Sequence, residues 1–101
     1  PDGSPVLSGG QPGPHKLVGT SPGFVPKILN TDVYDEIVRV KDDDALETTR
    51  LLARKEGLLL GPSSGASVWA ALRIARRLGP GKRVLCIAPD TGERYLSMGI
   101  F

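Results

Sequence analysis

The residues best suited to chemistry gather at Gly61-Pro62-Ser63-Ser64-Gly65, directly after the apolar run Gly57-Leu58-Leu59-Leu60. Two serines that follow a buried strand and open a helix can act in two ways. Either hydroxyl can cap the helix, serine being a favoured N-cap. The pair can instead hold an anion or an acceptor atom of a ligand, because a helix N-terminus presents unpaired N–H groups and a partial positive charge. A second polar turn, Pro89-Asp90-Thr91-Gly92, follows another apolar run, Val84-Leu85-Cys86-Ile87-Ala88. The sequence suggests no metal site: one cysteine, Cys86, and one histidine, His15, give neither a thiol pair nor a zinc constellation. Cys86 in its apolar run reads as a small buried side chain rather than a nucleophile. Asp42-Asp43-Asp44 lacks the oxygen-ligand spacing of a calcium loop and reads as the acidic first turn of a helix.

The elements that must position these turns alternate. Glu36-Ile37-Val38-Arg39-Val40 is rich in β-branched residues and predicts a strand. A helix follows from Asp42 to Glu56, with Ala45, Leu46, Thr49, Leu52 and Ala53 as its core-facing stripe. Residues 57–60 predict a short buried strand, and a second helix runs from about Gly65 to Leu78. Gly79-Pro80-Gly81 stops that helix, and residues 83–89 predict another buried strand. Strands alternating with helices of this length belong to the α/β class, here part of an open, mostly parallel sheet flanked by helices. Ligands of such sheets sit beyond the carboxyl ends of the strands, where the turns at 61–64 and 89–92 both fall. The two turns are therefore expected to converge. Upstream, residues 1–14 are dense in turn formers, and Lys16 to Pro26 reads as a structured loop.

A chain of 101 residues suits one domain or a piece of one. Its 13 basic and 11 acidic residues are interspersed, which gives no sign of a nucleic-acid surface. The local excess Arg73, Arg76, Arg77 and Lys82 falls at a helix end, where cations meet the negative end of the dipole. No apolar segment is long enough to span a membrane and no export signal is visible, so the chain reads as soluble and cytoplasmic.

Four segments, SPVLSGGQPGPHK at 4–16, GTSPGFVP at 19–26, GPSSGAS at 61–67 and TGERYLSMGIF at 91–101, together resemble the C-terminal third of the cysteine synthases. These O-acetylserine sulfhydrylases are pyridoxal-phosphate enzymes of fold type II. The resemblance covers essentially the whole chain in the family's order. It implies that Ser63 hydrogen-bonds the pyridine nitrogen of pyridoxal 5′-phosphate, and that Gly19 opens a loop close to cofactor and substrate. Thr20 and Ser21 become substrate-loop candidates. Where the family reads G-I-G-A-G-F, this chain has Gly19-Thr20-Ser21-Pro22-Gly23-Phe24, a stiffer loop with an added hydroxyl. By the same resemblance, residues 1–101 are the C-terminal segment of the larger domain, with 1–26 an active-site-lining loop region and 27–101 a βαβαβ core. The family's Schiff-base lysine, asparagine-bearing substrate loop and phosphate cradle all lie upstream, so no catalytic residue is assigned here and the chain is expected to be one piece of a longer polypeptide.

The implied activity is synthesis of L-cysteine from O-acetylserine and sulfide by a homodimeric enzyme. Its active-site mouth would also take the C-terminal tail of serine acetyltransferase. A cystathionine β-synthase or an O-phosphoserine sulfhydrylase is the enzymatic alternative, and a truncated, non-catalytic binding module is the alternative of another class. Asp90 reads as a turn aspartate that caps its own loop, although contact with the ring nitrogen would alter the cofactor's electronics. Glu93-Arg94-Tyr95 reads as structural, an ion pair with a packed aromatic.

Overall fold

A computed structural model describes all residues from Pro1 to Phe101. Its architecture rests on two packed helices, α1 (Asp42–Leu51) and α2 (Pro62–Leu78). Asp42, Asp43 and Asp44 occupy the first turn of α1, where their charge meets the positive end of the helix dipole. Asp42 has a second use. Its Oδ2 accepts the backbone N–H of Lys16 at 3.0 Å, which ties the upstream loop to the start of α1. Ala45, Leu46, Thr48 and Thr49 form the buried face. The helix widens into a π-helical turn, Leu52–Glu56, and Gly57 ends it in the left-handed conformation at φ 68°.

α2 starts at Pro62, three residues before the expected Gly65, and its N-cap is Gly61 rather than either serine. Proline explains the shift: its fixed φ suits the first helical position, where its missing N–H costs no bond. Ser63 and Ser64 thus lie inside the first turn. Arg76 and Arg77 occupy the last turn, as the dipole favours, and Arg77 additionally grips Glu36 through two bonds of 2.6 and 2.8 Å.

The core is divided. Leu17, Val40 and Ala45 form one cluster, with Val38, Ala66, Trp69 and Ala70 packed against it. Leu46, Tyr95 and Ile100 form the other, and Arg50 fastens it by donating to the Ile100 carbonyl. Short 3-10 helices at Val6–Ser8 and Gly92–Met98 complete the chain.

The expected sheet does not form within these residues. Segments 36–40, 57–60 and 83–89 form no ladder with one another, and one antiparallel bridge, Leu60 to Thr91, is the sole β pairing. Leu85 and Ile87, expected to be buried, are 90% and 71% exposed, and Cys86 is exposed as well. The physical reason is pairing: a strand's N–H and C=O groups are satisfied by a neighbouring strand, and its apolar side chains by whatever covers its faces. The segment 36–40 is held instead to the start of the chain, through Asp2 N–H donating to the Val40 carbonyl at 2.7 Å and an Arg39–Asp2 ion pair at 2.8 Å.

Candidate functional site

The two polar turns converge as expected. Gly61 N–H donates to the Asp90 carbonyl at 3.3 Å, Gly92 N–H donates to the Leu59 carbonyl at 2.9 Å, and the Ser64 hydroxyl reaches the Asp90 carbonyl at 3.5 Å. These contacts clamp the first turn of α2 to the turn after residues 83–89. Ser63 and Ser64 are both buried, but they differ in use. Ser64 is fully buried and committed to Asp90, whereas no hydrogen bond of the chain uses the Ser63 hydroxyl. A neutral donor beside a helix N-terminus is thus left free for an acceptor atom from outside the chain.

Asp90 is a structural hinge of this corner. Its Oδ2 accepts the Tyr95 hydroxyl and lies 3.8 Å from the Arg94 guanidinium. The ion pair expected within Glu93-Arg94-Tyr95 is therefore made by Arg94 with Asp90. Tyr95 packs in the second core cluster, in agreement with its structural reading. The hydrogen bond to Asp90, followed by burial, pushes the Tyr95 phenol above its ordinary range, so it remains a donor at neutral pH.

The loop at 19–24 is shaped by three left-handed residues, Gly19 at φ 84°, Ser21 at φ 49° and Gly23 at φ 88°. Ser21 is the one non-glycine residue of the chain with positive φ, and its surroundings hold it there. Its hydroxyl donates to the Ser4 carbonyl at 3.2 Å, and its carbonyl lies 3.4 Å from His15 Nε2. Leu17 N–H donates to His15 Nδ1 at 3.2 Å, which assigns the ring proton to Nε2 and makes His15 the donor to Ser21. The Thr20 hydroxyl donates to the Leu17 carbonyl at 2.7 Å. Both candidate hydroxyls thus spend their protons on backbone carbonyls of the chain, Leu17 and Ser4, and keep only lone pairs for a ligand.

Leu17 shares a core cluster with Ala66 and Trp69 of α2, which links the root of this loop to the helix that carries Ser63. No hydrogen bond joins residues 19–24 to the 61–64 turn. Ser21 and Pro22 instead border a cleft of ≈ 350 Å³, walled by Val6, Phe24, Leu29 and Ile37, to which Ser63 does not contribute.

Gly61, Gly65 and Tyr95 matter to the corner but were not legible as such. A β-carbon on Gly61 would collide with Asp90 Oδ1 and the Tyr95 ring, and one on Gly65 with Thr49 Oγ1 and the Ala45 carbonyl. The only sequence signal is glycine itself, flanking the serines on both sides.

Residues 1–90 match the family described as pyridoxal-phosphate dependent enzymes. The chain is 64% identical over 101 residues to a probable cysteine synthase of Bacillus subtilis, covering all of this chain and 32% of that protein. Among solved structures, a cysteine synthase from Entamoeba histolytica superposes with a TM-score of 0.93 at 38% identity, covering 100% of this chain and 30% of that one. An O-ureido-L-serine synthase superposes at 0.95 with 42% identity, covering 100% and 32%. The chain thus spans about a third of the length of the curated relatives it matches. The chain as a whole superposes on these structures, although residues 36–40, 57–60 and 83–89 make no sheet among themselves. With its serine-bearing helix start held against a second turn and the family match running from the first residue to Asp90, the chain belongs to the pyridoxal-phosphate dependent enzymes.

Proposed function

We propose that these residues are the C-terminal segment of a cysteine synthase, which makes L-cysteine from O-acetylserine and sulfide by β-replacement. The observation that carries the reading is the unpartnered Ser63 hydroxyl in the first turn of α2. It fits the cofactor, because a pyridine nitrogen is an acceptor and the corner presents a neutral donor to it. Pyridoxal phosphate, when bound, supplies the electron sink that acidifies the substrate's α-proton and lets the β-acetoxy group leave.

A serine hydroxyl can donate to the ring nitrogen but cannot keep it protonated as a carboxylate does. That choice weakens the sink and suits β-elimination and replacement over reactions that need a long-lived carbanion. Asp90 lies nearby, but Tyr95 and Arg94 engage its carboxylate, which keeps it a structural group. In this reading Gly19, at φ 84°, opens the loop that runs close to cofactor and substrate, and the lone pairs left on Thr20 and Ser21, whose protons go to the Leu17 and Ser4 carbonyls, bear on the choice of substrate. The catalytic lysine and the phosphate cradle belong to the remainder of the longer protein.

The parent enzyme in this reading is a cytoplasmic homodimer whose active-site mouth takes the tail of serine acetyltransferase. No helix of the chain is long and apolar enough to cross a membrane. A second reading, a relative that uses O-phosphoserine or forms cystathionine, is favoured by one observation: Ser21-Pro22 sits rigidly in the loop where the family has smaller residues.

Ser63→Ala in the full-length enzyme tests the main reading. Losing one hydrogen bond to the ring should slow cysteine formation about tenfold and shift the absorption of the bound cofactor, with the fold intact. Unchanged kinetics and absorption remove Ser63 from the site.

A further inference from the structure

Asp90 is used more fully than a turn residue needs to be. Its carbonyl accepts from Gly61 N–H and from the Ser64 hydroxyl, the residues on either side of Pro62-Ser63. Its Oδ2 accepts from Tyr95, with the Arg94 guanidinium at 3.8 Å. Its Oδ1 is buried without a hydrogen-bond partner and presses against Gly61, so closely that a β-carbon there would collide with it. An unpaired buried carboxylate oxygen is costly. Here Oδ1 abuts the N-cap of α2, so the positive end of the helix dipole offsets part of that cost.

We propose that Asp90 and Tyr95 form a latch that fixes the Gly61-Pro62 turn and so sets the position of the Ser63 hydroxyl toward the pyridine nitrogen. The proposal rests on the reading of Ser63 given above and makes Asp90 and Tyr95 positioning residues rather than catalytic ones. Three features carry it. Tyr95 is anchored in the cluster with Leu46 and Ile100, so its hydroxyl is a fixed point. Asp90 transfers that point to both flanks of Ser63. Gly61 leaves the room that the carboxylate occupies, as no residue with a side chain could.

The test uses the full-length protein with pyridoxal 5′-phosphate as the probe, and reads cofactor affinity and the absorption band of the bound cofactor. Tyr95→Phe removes only the hydroxyl and keeps the packed ring. It should weaken cofactor binding roughly threefold to tenfold and move the band in the same direction as Ser63→Ala, with the KM for the amino-acid substrate unchanged. Gly61→Ala should reproduce this from the other side by displacing the carboxylate. Asp90→Asn, which keeps an acceptor oxygen for the phenol, should retain most of the affinity that Asp90→Ala loses. The decisive comparison is the double variant: once Ser63 is alanine, Tyr95→Phe should change neither affinity nor band. Additive effects of the two substitutions overturn the latch, as does a Tyr95→Phe protein that differs only in melting temperature. If Ser63→Ala is silent, the reading of Ser63 fails and the latch with it; if Ser63→Ala is active and Tyr95→Phe silent, the latch alone fails.

Discussion

Replacing Gly65 by alanine sets local helix preference against helix packing, and the structure decides the sign. In an isolated helix the change stabilises by about 1 kcal/mol, because glycine loses more backbone freedom on folding. In this protein the new methyl group falls where α1 and α2 cross, well under 3.0 Å from Thr49 Oγ1 and from the Ala45 carbonyl. Thr49 and Ala45 are both completely buried, so neither can swing into solvent. Overpacking of this kind costs about 1–3 kcal/mol. Moving Thr49 aside also breaks its 2.8 Å bond to the Ala45 carbonyl, which adds about 1 kcal/mol. The net expectation is a loss of about 2 kcal/mol. Hydrogen exchange of the full-length protein reads this directly: amides of α1 and α2 should exchange about thirtyfold faster, with distant segments unaffected. A protein in which those amides exchange at the original rate, or slower, refutes the close approach of the two helices.

Two further outcomes are expected. Restoring the smaller family residues with Ser21→Gly and Pro22→Ala should shift the ratio of kcat/KM for O-acetylserine over O-phosphoserine several-fold, since it removes the hydroxyl bonded to Ser4 and loosens the loop; a change confined to cofactor affinity contradicts the role given to the loop. The Arg77 guanidinium, bonded twice to Glu36, holds its carboxyl below the usual carboxylate range. Because the folded value is depressed, the stabilisation is present above the unfolded value of about 4.3 and fades as the pH falls through the folded one. Melting temperatures of the native protein and Glu36→Gln should therefore differ near pH 6 and converge in acid, modestly because both side chains are about half exposed. A difference that grows toward low pH contradicts the sign.

Much of the site was legible because local chemistry fixes it. Asp42-Asp43-Asp44 begins α1 through charge and dipole alone, and Gly57 and Gly79 end their helices at φ 68° and 80°. The convergence of 61–64 with 89–92 followed from alternation and from where loops of α/β folds gather. The helix start was misplaced because proline at the first helical position outweighs serine as a cap, which moves Ser63 from the cap into the first turn.

What the sequence determined by itself is the set of short-range decisions: which residues turn, where helices start and stop within a few positions, and which family pattern the segments follow. Only the tertiary structure decided how those pieces are used. Apolar content marks 57–60 and 83–89 as extended, but a strand is completed by a partner's hydrogen bonds, and composition cannot name the partner. It likewise took three-dimensional proximity to pair Tyr95 with Asp90 across a turn and to press Asp90 against Gly61. The same proximity leaves Ser63 with a free hydroxyl while Ser64, its neighbour and chemical equal, is spent on Asp90. Identical side chains one residue apart point 100° apart on a helix, so which of them faces the open side is settled by packing alone.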